Sequence, residues 1–558
     1  SFCDLAKSYI ESNELDRAFS YVVKALEANS LNLYEVYPIL KRKEQEITWN
    51  VLNLNAYSKL KKLKVVHQSE LETTLVVLSS LLEHIYTNES DLEAQKKAAE
   101  SCFYVNKLLL EISEILRNNF SGKDDQLRQL ANTSLYVKEG VSAAYYLGED
   151  KFRREAFQFA EQSKSVLLAD AVKGNRARIL TDLPDSLLFL ERNLQYKKDL
   201  IKKQKHQKAQ EGTTIAQTEN DLNERIEKFL QTIKENYPKY YQLRYKNITA
   251  SVKEIQALLQ DKELFLEYIV TDTVTYLFTI NSAEIQLYAL DIGRKELKKS
   301  VSNLRKSLSD YDFVLQSEVK AFEVFNREAT FFYNKLLKRA LKNTKAEHLI
   351  IVADVELGHL PFEVFLTDKN SMKSQNISYK KLPYLLKKYS ISYDYSATLW
   401  RENRKRIVSN NNHKILGLAA AYPKDATKEI YDFRPSHVAD LRVKLAPLPA
   451  VKGEVEQLSQ LFQGKFVKSL DANEGFFKAE SASYGVIHLA MHGILNPRIP
   501  ILSSLAFSEN KDSLEDNFLE AYEIAQLRLN ADLVVLSACE TGYGKFQEGE
   551  GILSLARS

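Results

Sequence analysis

Two stretches near the end of the chain limit what it can fold into more than any other part of its 558 residues. The first is Val486-Ile487-His488-Leu489-Ala490-Met491-His492-Gly493, and the second is Asp532-Leu533-Val534-Val535-Leu536-Ser537-Ala538-Cys539-Glu540-Thr541-Gly542. Each is an apolar run of strand length that ends in a reactive side chain, with glycine at once or within three residues. Continuous apolar runs are the mark of strands buried in a parallel sheet. In open α/β sheets the chemistry sits at the carboxyl ends of the strands. His492 and Cys539 both fall at that edge, on two strands that are candidates to be neighbours. His488 alternates with Leu489 within its strand, points to the opposite face and reads as structural.

A thiol and an imidazole together can do nucleophilic catalysis. The imidazole takes the thiol proton or stabilises the thiolate, and the thiolate attacks a carbonyl carbon. Backbone N–H groups of Gly493 and Cys539 are then candidates for the oxyanion hole. Cys539 follows His492 by 47 residues (539 − 492), close to the caspase spacing of about 50. The segment resembles the CHAT domain, the caspase-like family related to separase, whose motifs are His-Leu-Ala-x-His-Gly and Ser-Ala-Cys-x-Thr-Gly. Met491 and Glu540 fill the variable slots, and Gly549-Glu550-Gly551-Ile552-Leu553 resembles the family's Gly-Glu-Gly run. The resemblance covers residues 251–558 and is strongest from Tyr484 onward. It implies a clan CD cysteine peptidase with His492 and Cys539 as its dyad.

From Ser251 the apolar pattern takes a strand period. Leu264–Val270, Thr275–Ile280 and Ile285–Leu290 read as strands of a small antiparallel sheet, separated by turn residues. Helices over Arg294–Leu308 and Ala321–Leu341 come next, and then a buried strand over His348–Asp354. Leu360-Pro361-Phe362-Glu363 resembles the family's Leu-Pro-Phe-Glu motif, and His359 beside it reads as structural. Residues 251–405 thus resemble the family's pseudo-caspase half. Residues 413–558 resemble its active half: strands over Lys414–Ala421, Lys465–Val467 and Val486–Met491 alternate with helices over Val451–Phe462, Glu474–Glu480 and Ala521–Leu527. That alternation is what a three-layer α/β fold requires.

The N-terminal region is helical. Leu5, Ala6, Tyr9, Ala18, Val22 and Ala25 resemble a tetratricopeptide (TPR) repeat, in which small residues let two helices approach closely. A second copy at Ala144, Leu147, Gly148, Ala156, Ala160 and Ser163 lies 138 residues on (144 − 6), close to four repeats of about 34. Residues 1–180 therefore read as a TPR-like solenoid, with a non-TPR array of helical hairpins as the other reading. Residues 185–245 read as a helical hairpin linker, with Gly212-Thr213-Thr214 as its turn and a stop near Tyr237-Pro238. A solenoid presents an extended surface suited to a protein or peptide.

Composition excludes several functions. Lys and Arg number 77 against 74 Asp and Glu, a net charge of +3, so no global nucleic-acid footprint exists. No apolar run reaches the roughly 18 residues of a membrane span. The three cysteines, Cys3, Cys102 and Cys539, form neither a Cys-x-x-Cys pair nor a disulfide framework, which suits a reducing cytoplasm. There is no metal-ligand spacing or cofactor motif, and the Tyr543-Gly544 turn lacks the Gly-Lys-Ser/Thr ending of a phosphate loop.

Nineteen residues follow Cys539 (558 − 539), whereas the resemblance implies further strands that shape the substrate pocket. The chain also starts inside a helical pattern, at Ser1. A fragment, a processed subunit or a chain truncated at its C-terminus is the expectation. Glu540, Glu548 and Glu550 lie close to the nucleophile in sequence, and Glu540 and Glu550 are candidate pocket residues that would favour a basic substrate side chain. Glu523 and Asp532 are candidates to orient His492, but the assignment is a two-residue dyad. The chain therefore reads as a caspase-like cysteine endopeptidase of the type found in bacterial TPR-CHAT proteins, its helical region recruiting a protein substrate or regulator. The other reading is a non-catalytic interaction scaffold with an incomplete protease domain.

Overall fold

The computed structural model describes residues 1–36, 61–119, 123–164, 183–184, 186–191, 193–194, 197, 212–245, 249–368, 377–405, 413–422, 427–430, 441–496, 502–509, 515–524, 527, 529–538, 545–547 and 551–557. Residues 1–404 with 548–551 form one compact unit, and 405–547 with 552–558 form another.

The first unit opens with helices α1 (Phe2–Glu11) and α2 (Leu15–Asn29). Ser1 and Asp4 form a capping box that starts α1, satisfying donors that have no partner within the helix. Then come α3 (Gln68–Asn88), α4 (Leu92–Asn119), α5 (Lys123–Leu147) and α6 (Asp150–Gln162). The small residues Ala6, Ala18, Ala144, Ala156 and Ala160 are all fully buried, as close helix approach requires. The regular 34-residue period does not extend between the two outer pairs. The helices there run to 21, 28 and 25 residues, and a 28-residue helix nearly fills a repeat by itself. Polar layers tie these long helices together. Glu72 accepts from Gln129 at 2.6 Å and from Tyr136 at 2.9 Å, and Glu139 accepts from Ser79 at 2.5 Å.

A helix from Gly212 to Asn236 (α7) comes next, so Gly212-Thr213-Thr214 opens a helix where the sequence suggested a turn. Leu222, Phe229 and Ile233 of α7 bury themselves against Leu183, Leu194 and Tyr240, and the Tyr240 hydroxyl donates to Glu191 at 2.7 Å. The lysine-rich stretch Lys202–Lys208 and the Asn175–Arg178 stretch lie outside the described residues.

After helix α8 (Val252–Leu258), strands β1 (Glu263–Val270), β2 (Thr275–Ile280) and β3 (Ile285–Leu290) stand where the period-two pattern put them. They pair antiparallel. They do not end the sheet: β4 (His348–Val352) and β5 (Ser390–Asp394) add in parallel to the β1 edge, giving one mixed sheet in the order β3-β2-β1-β4-β5. Helices α9 (Arg294–Ser309) and α10 (Glu318–Phe332) connect β3 to β4. The Leu360–Glu363 motif is a packing device. Phe362 is fully buried, 4.7 Å from the Phe365 ring and 5.8 Å from Tyr268. The Tyr393 hydroxyl accepts from the Phe362 N–H and donates to Glu363.

Charges are also buried here. Glu161, at the end of α6, accepts from the N–H groups of Ala397 and Thr398, the first turn of helix α11 (Ala397–Arg404), where a negative charge is favoured. Lys164 lies 3.3 Å from Glu267 of β1 and donates to the Tyr268 carbonyl at 2.7 Å. Glu267 is wholly buried. Burial pushes its carboxyl up to about 8, Lys164 opposing the shift and Glu161 adding to it.

The second unit holds a parallel sheet of β6 (Ile415–Ala419), β9 (Gly464–Lys468), β10 (Val486–Ala490) and β14 (Leu533–Ser537) in the order β14-β10-β6-β9. Strands β7 (Thr427–Ile430) and β8 (Leu441–Lys444), which pair antiparallel, lie in the chain between β6 and helix α12 (Pro449–Leu461). Helix α13 (Glu474–Glu480) precedes β10. Between β10 and β14 the described residues form three strands that no sequence pattern announced, β11 (His492–Ile494), β12 (Ser504–Ala506) and β13 (Phe518–Glu520), and a short helix α14 (Ala521–Ile524). Each of those strands has three residues, too few for a period to show. One face of the parallel sheet buries Leu416, Leu418, Ile487, Leu489 and Met491 with Phe477 and Phe507. The other buries Ala419 and Ala490 under Val451 and Val455 of α12. Among the described residues no helix is long and apolar enough to cross a membrane.

The buried Glu267 gives a pH signature. A carboxyl whose folded pKa is raised binds its proton more tightly in the native state, so its contribution to stability falls as pH rises from the unfolded value to about 8. Glu267→Gln removes that slope. Its melting temperature relative to the parent chain should climb from pH 5 to pH 8.5, and a difference independent of pH would contradict the assignment.

Candidate active site

The parallel sheet sets the site's position. Strand β6 runs through α12 to β9 on one side, and the chain then crosses back to β10 and β14 on the other. The topological switch therefore lies between β6 and β10, and the crevice at their carboxyl ends is where ligands bind in open α/β sheets. Strand β6 leads into Ala420-Ala421-Tyr422, and β10 leads into Met491-His492-Gly493.

His492 is fixed from three directions. Its Nε2 lies 2.7 Å from the carbonyl oxygen of Ala446. A carbonyl only accepts, so Nε2 carries the proton, and Nδ1 is the nitrogen left for proton exchange in the neutral ring. The Tyr422 ring packs against the imidazole at 4.7 Å between centroids. The Tyr422 hydroxyl accepts from the His492 N–H at 3.0 Å and donates to the Ala506 carbonyl at 2.5 Å. His492 pairs with Ala506 in the β11–β12 ladder, so this hydroxyl is inserted into the ladder as a bridge. Tyr422 is itself buried, and burial pushes its phenol well above the usual value.

Gly493 stands next on β11, which among the described residues is an edge strand. The N–H of His492 faces β12 through Tyr422, and that of Asn496 reaches Ser503 at 3.0 Å. Backbone donors alternate sides along a strand, so the Gly493 N–H faces away from β12 toward the open edge.

The strands β10 and β14 are parallel neighbours, with Val486 opposite Leu533 and Ala490 opposite Ser537. That register offset is 47 residues (537 − 490), and the Met491 N–H extends the ladder by donating to the Ser537 carbonyl at 3.3 Å. Cys539, Glu540, Glu548 and Glu550 lie outside the described residues. The remaining cysteines, Cys3 and Cys102, are free and buried in the first unit. Burial raises the Cys102 thiol well above its usual value, which makes it inert.

Residues 327–558 match the family model of the CHAT domain. This part of the chain is a CHAT domain. No curated protein matches the chain. CHAT domains are related to the clan CD cysteine peptidases, and His492 and Gly493 lie within the matched region.

Neither carboxylate considered as an orienter of His492 is arranged as one. Glu523 is 2.9 Å from Lys478 and accepts from the Glu520 N–H at 3.0 Å. Asp532 precedes β14 at the amino edge of the sheet, where its N–H donates to the Gly485 carbonyl. His492 lies beyond the carboxyl edge of the neighbouring strand, a strand length of about 16 Å away at ~3.3 Å per residue. The orienting group in this CHAT domain is the Ala446 carbonyl, which no side-chain pattern announces. His488 is structural, as its alternation implied: its Nε2 lies 2.8 Å from Glu454 of α12. The other oxygen of Glu454 accepts from Ser537 at 3.1 Å.

A second charged cluster sits apart from His492. Glu474, Glu515 and Glu523 converge closely enough to hold a cation. Lys478 already supplies one, at 2.7, 2.6 and 2.9 Å from the three carboxylates. Burial raises Glu474 to about 7. Glu520 is raised to about 9 by burial and by its bond with Glu523, which lies below the usual range despite its own burial.

The Tyr422 bridge is testable by removing one atom. Tyr422→Phe keeps the ring against His492 but leaves the His492 N–H and the Ala506 carbonyl unbridged. The C-terminal unit should lose about 1–3 kcal/mol in a urea titration, the cost of unpaired buried polar groups. An unchanged midpoint would show that the two strands close directly.

Proposed function

We propose that this protein is a caspase-like cysteine endopeptidase, with Cys539 as nucleophile and His492 as acid and base. The observation that carries the reading is the 47-residue register of β10 and β14, which equals the spacing between His492 and Cys539. Two strands running side by side would then deliver imidazole and thiol to one edge of the sheet, at the switch-point crevice.

The chemistry comes from the groups present. With its Nε2 proton donated to Ala446, the neutral His492 ring takes the Cys539 proton at Nδ1. The thiolate sulfur bonds to the scissile carbonyl carbon, and the carbonyl electrons move to oxygen. The outward Gly493 N–H and the Cys539 N–H receive that oxyanion. The imidazolium then gives its proton to the departing amine, leaving a thioester that water hydrolyses. Glu540 and Glu550 would favour a basic side chain beside the cut. The helical region of the first unit recruits a protein substrate or a regulator. A scaffold that binds without cutting is the rival. The oriented imidazole speaks against it, because a purely structural histidine needs neither a free nitrogen nor a place at the switch point.

Thiol alkylation tests this without a substrate. In the chain carrying Cys3→Ser and Cys102→Ser, iodoacetamide labelling of Cys539 should titrate below the free-thiol value of about 8.5. His492→Ala should move the titration back up. Labelling that ignores His492 would leave the scaffold reading standing.

A further inference from the structure

We infer that Glu454 is a positioning residue for the dyad, acting through His488 and Ser537; the inference rests on the dyad reading above. Its carboxylate has two prongs, one on each strand that carries a motif. Oε1 is 2.8 Å from His488 Nε2 on β10, and Oε2 accepts from the Ser537 hydroxyl on β14 at 3.1 Å.

The location gives this clamp its purpose. Ser537 is the last residue of β14, directly opposite Ala490, the last of β10. Just beyond, the β10 chain leaves the parallel sheet, since His492 already pairs with β12. The final ladder bond, Met491 N–H to the Ser537 carbonyl, is 3.3 Å long. At this point the backbone alone holds the two strands weakly, and the residues proposed to react lie one or two positions further on. A carboxylate joining both strands from the α12 side supplies the missing constraint. Ala490 is small enough to let it reach: the methyl group is fully buried beneath Val451 and Val455, whereas a larger side chain there would stand between α12 and Ser537.

The same segment holds the imidazole. Ala446, whose carbonyl takes the His492 Nε2 proton, precedes Glu454 by eight residues (454 − 446). Pro447 and Pro449 lie between them, and Pro449 occupies the first turn of α12, where its fixed φ suits the helix. One stiff segment, 446–454, therefore contacts His492, His488 and Ser537. If Glu454 served only to satisfy the buried His488, its bond to Ser537 would be incidental and cutting that arm would change nothing.

A double-mutant cycle separates the two cases. The variants are Glu454→Ala, Ser537→Ala and their combination, in the chain that keeps Cys539 as sole cysteine. One readout is hydrogen–deuterium exchange of the peptide spanning 486–496, and the other is the pH profile of Cys539 alkylation. Each single variant should speed exchange at the Met491 end at least tenfold and slow alkylation at pH 7 at least threefold, with the double variant no worse than Glu454→Ala. Ser537→Ala behaving as the parent chain in exchange, or the double variant showing the product of the single effects, would overturn the clamp. If Glu454→Ala fails to fold, Ser537→Ala decides alone. Alkylation unchanged in His492→Ala would sink the dyad, and the exchange data would still decide the clamp.

Discussion

The arrangement around His492 depends on one ladder, the parallel pairing of β10 with β14 on one side and with β6 on the other. A parallel strand pair fixes its register along its whole length, and a slip of one residue would turn every side chain to the opposite face. Here both faces are buried by different elements. Leu489 and Met491 belong to one core, and Ala490 to the other. A slip would drive methionine and leucine into the space under α12 that only alanine fits. Core packing thus sets the height of His492 to within one residue, without any contact made for catalysis.

The two units meet the demand for polar precision in different ways. In the first, ionisable groups are buried: Glu161 in the first turn of α11, and Lys164 against Glu267, whose carboxyl burial raises to about 8. Such groups are costly to desolvate. In the second, the groups around His492 are mostly backbone. Among the described residues the Ala446 carbonyl, the Tyr422 hydroxyl and the strand donors act as dipoles, and the Glu454 carboxylate, which contacts His488 and Ser537, stays partly exposed. Dipoles orient a ring at a lower desolvation cost than a buried charge.

Much of this was legible in the sequence, and for a physical reason. Strands β1, β2, β3 and β10 and helix α13 fall where period and turn chemistry put them, because long buried runs leave an unambiguous pattern. His488 was readable as structural because alternation alone sends it to the α12 side. The antiparallel strands β11–β13 left no pattern, being three residues each. The 34-residue period suggested by Ala6 and Ala144 failed in between because small residues at helix crossings are needed in any tight helical array, whatever its repeat. Asp532 and Glu523 were plausible by proximity in sequence, yet a parallel strand carries its first and last residues to opposite edges, and Lys478 holds Glu523. The Ala446 carbonyl was beyond reach of any side-chain reading, since every residue offers the same oxygen and only the fold selects one.

That the orienting group is a carbonyl fits the proposed nucleophile. A hydroxyl nucleophile, whose own pKa is far above neutrality, asks more of its base, and in the Ser-His-Asp arrangement that base is backed by a full negative charge. A thiol starts near 8.5 and is intrinsically a strong nucleophile. It asks of its partner mainly the right tautomer and a steady position. The Ala446 carbonyl supplies the first by holding the Nε2 proton, and the Tyr422 ring and hydroxyl supply the second. A carboxylate in the same place would add charge that a thiol does not need, at the cost of burying it beside the carboxyl edge of an apolar sheet. The placement of Glu454 is consistent with that economy: its carboxylate contacts His488 and Ser537 on the two strands and leaves the imidazole to the carbonyl.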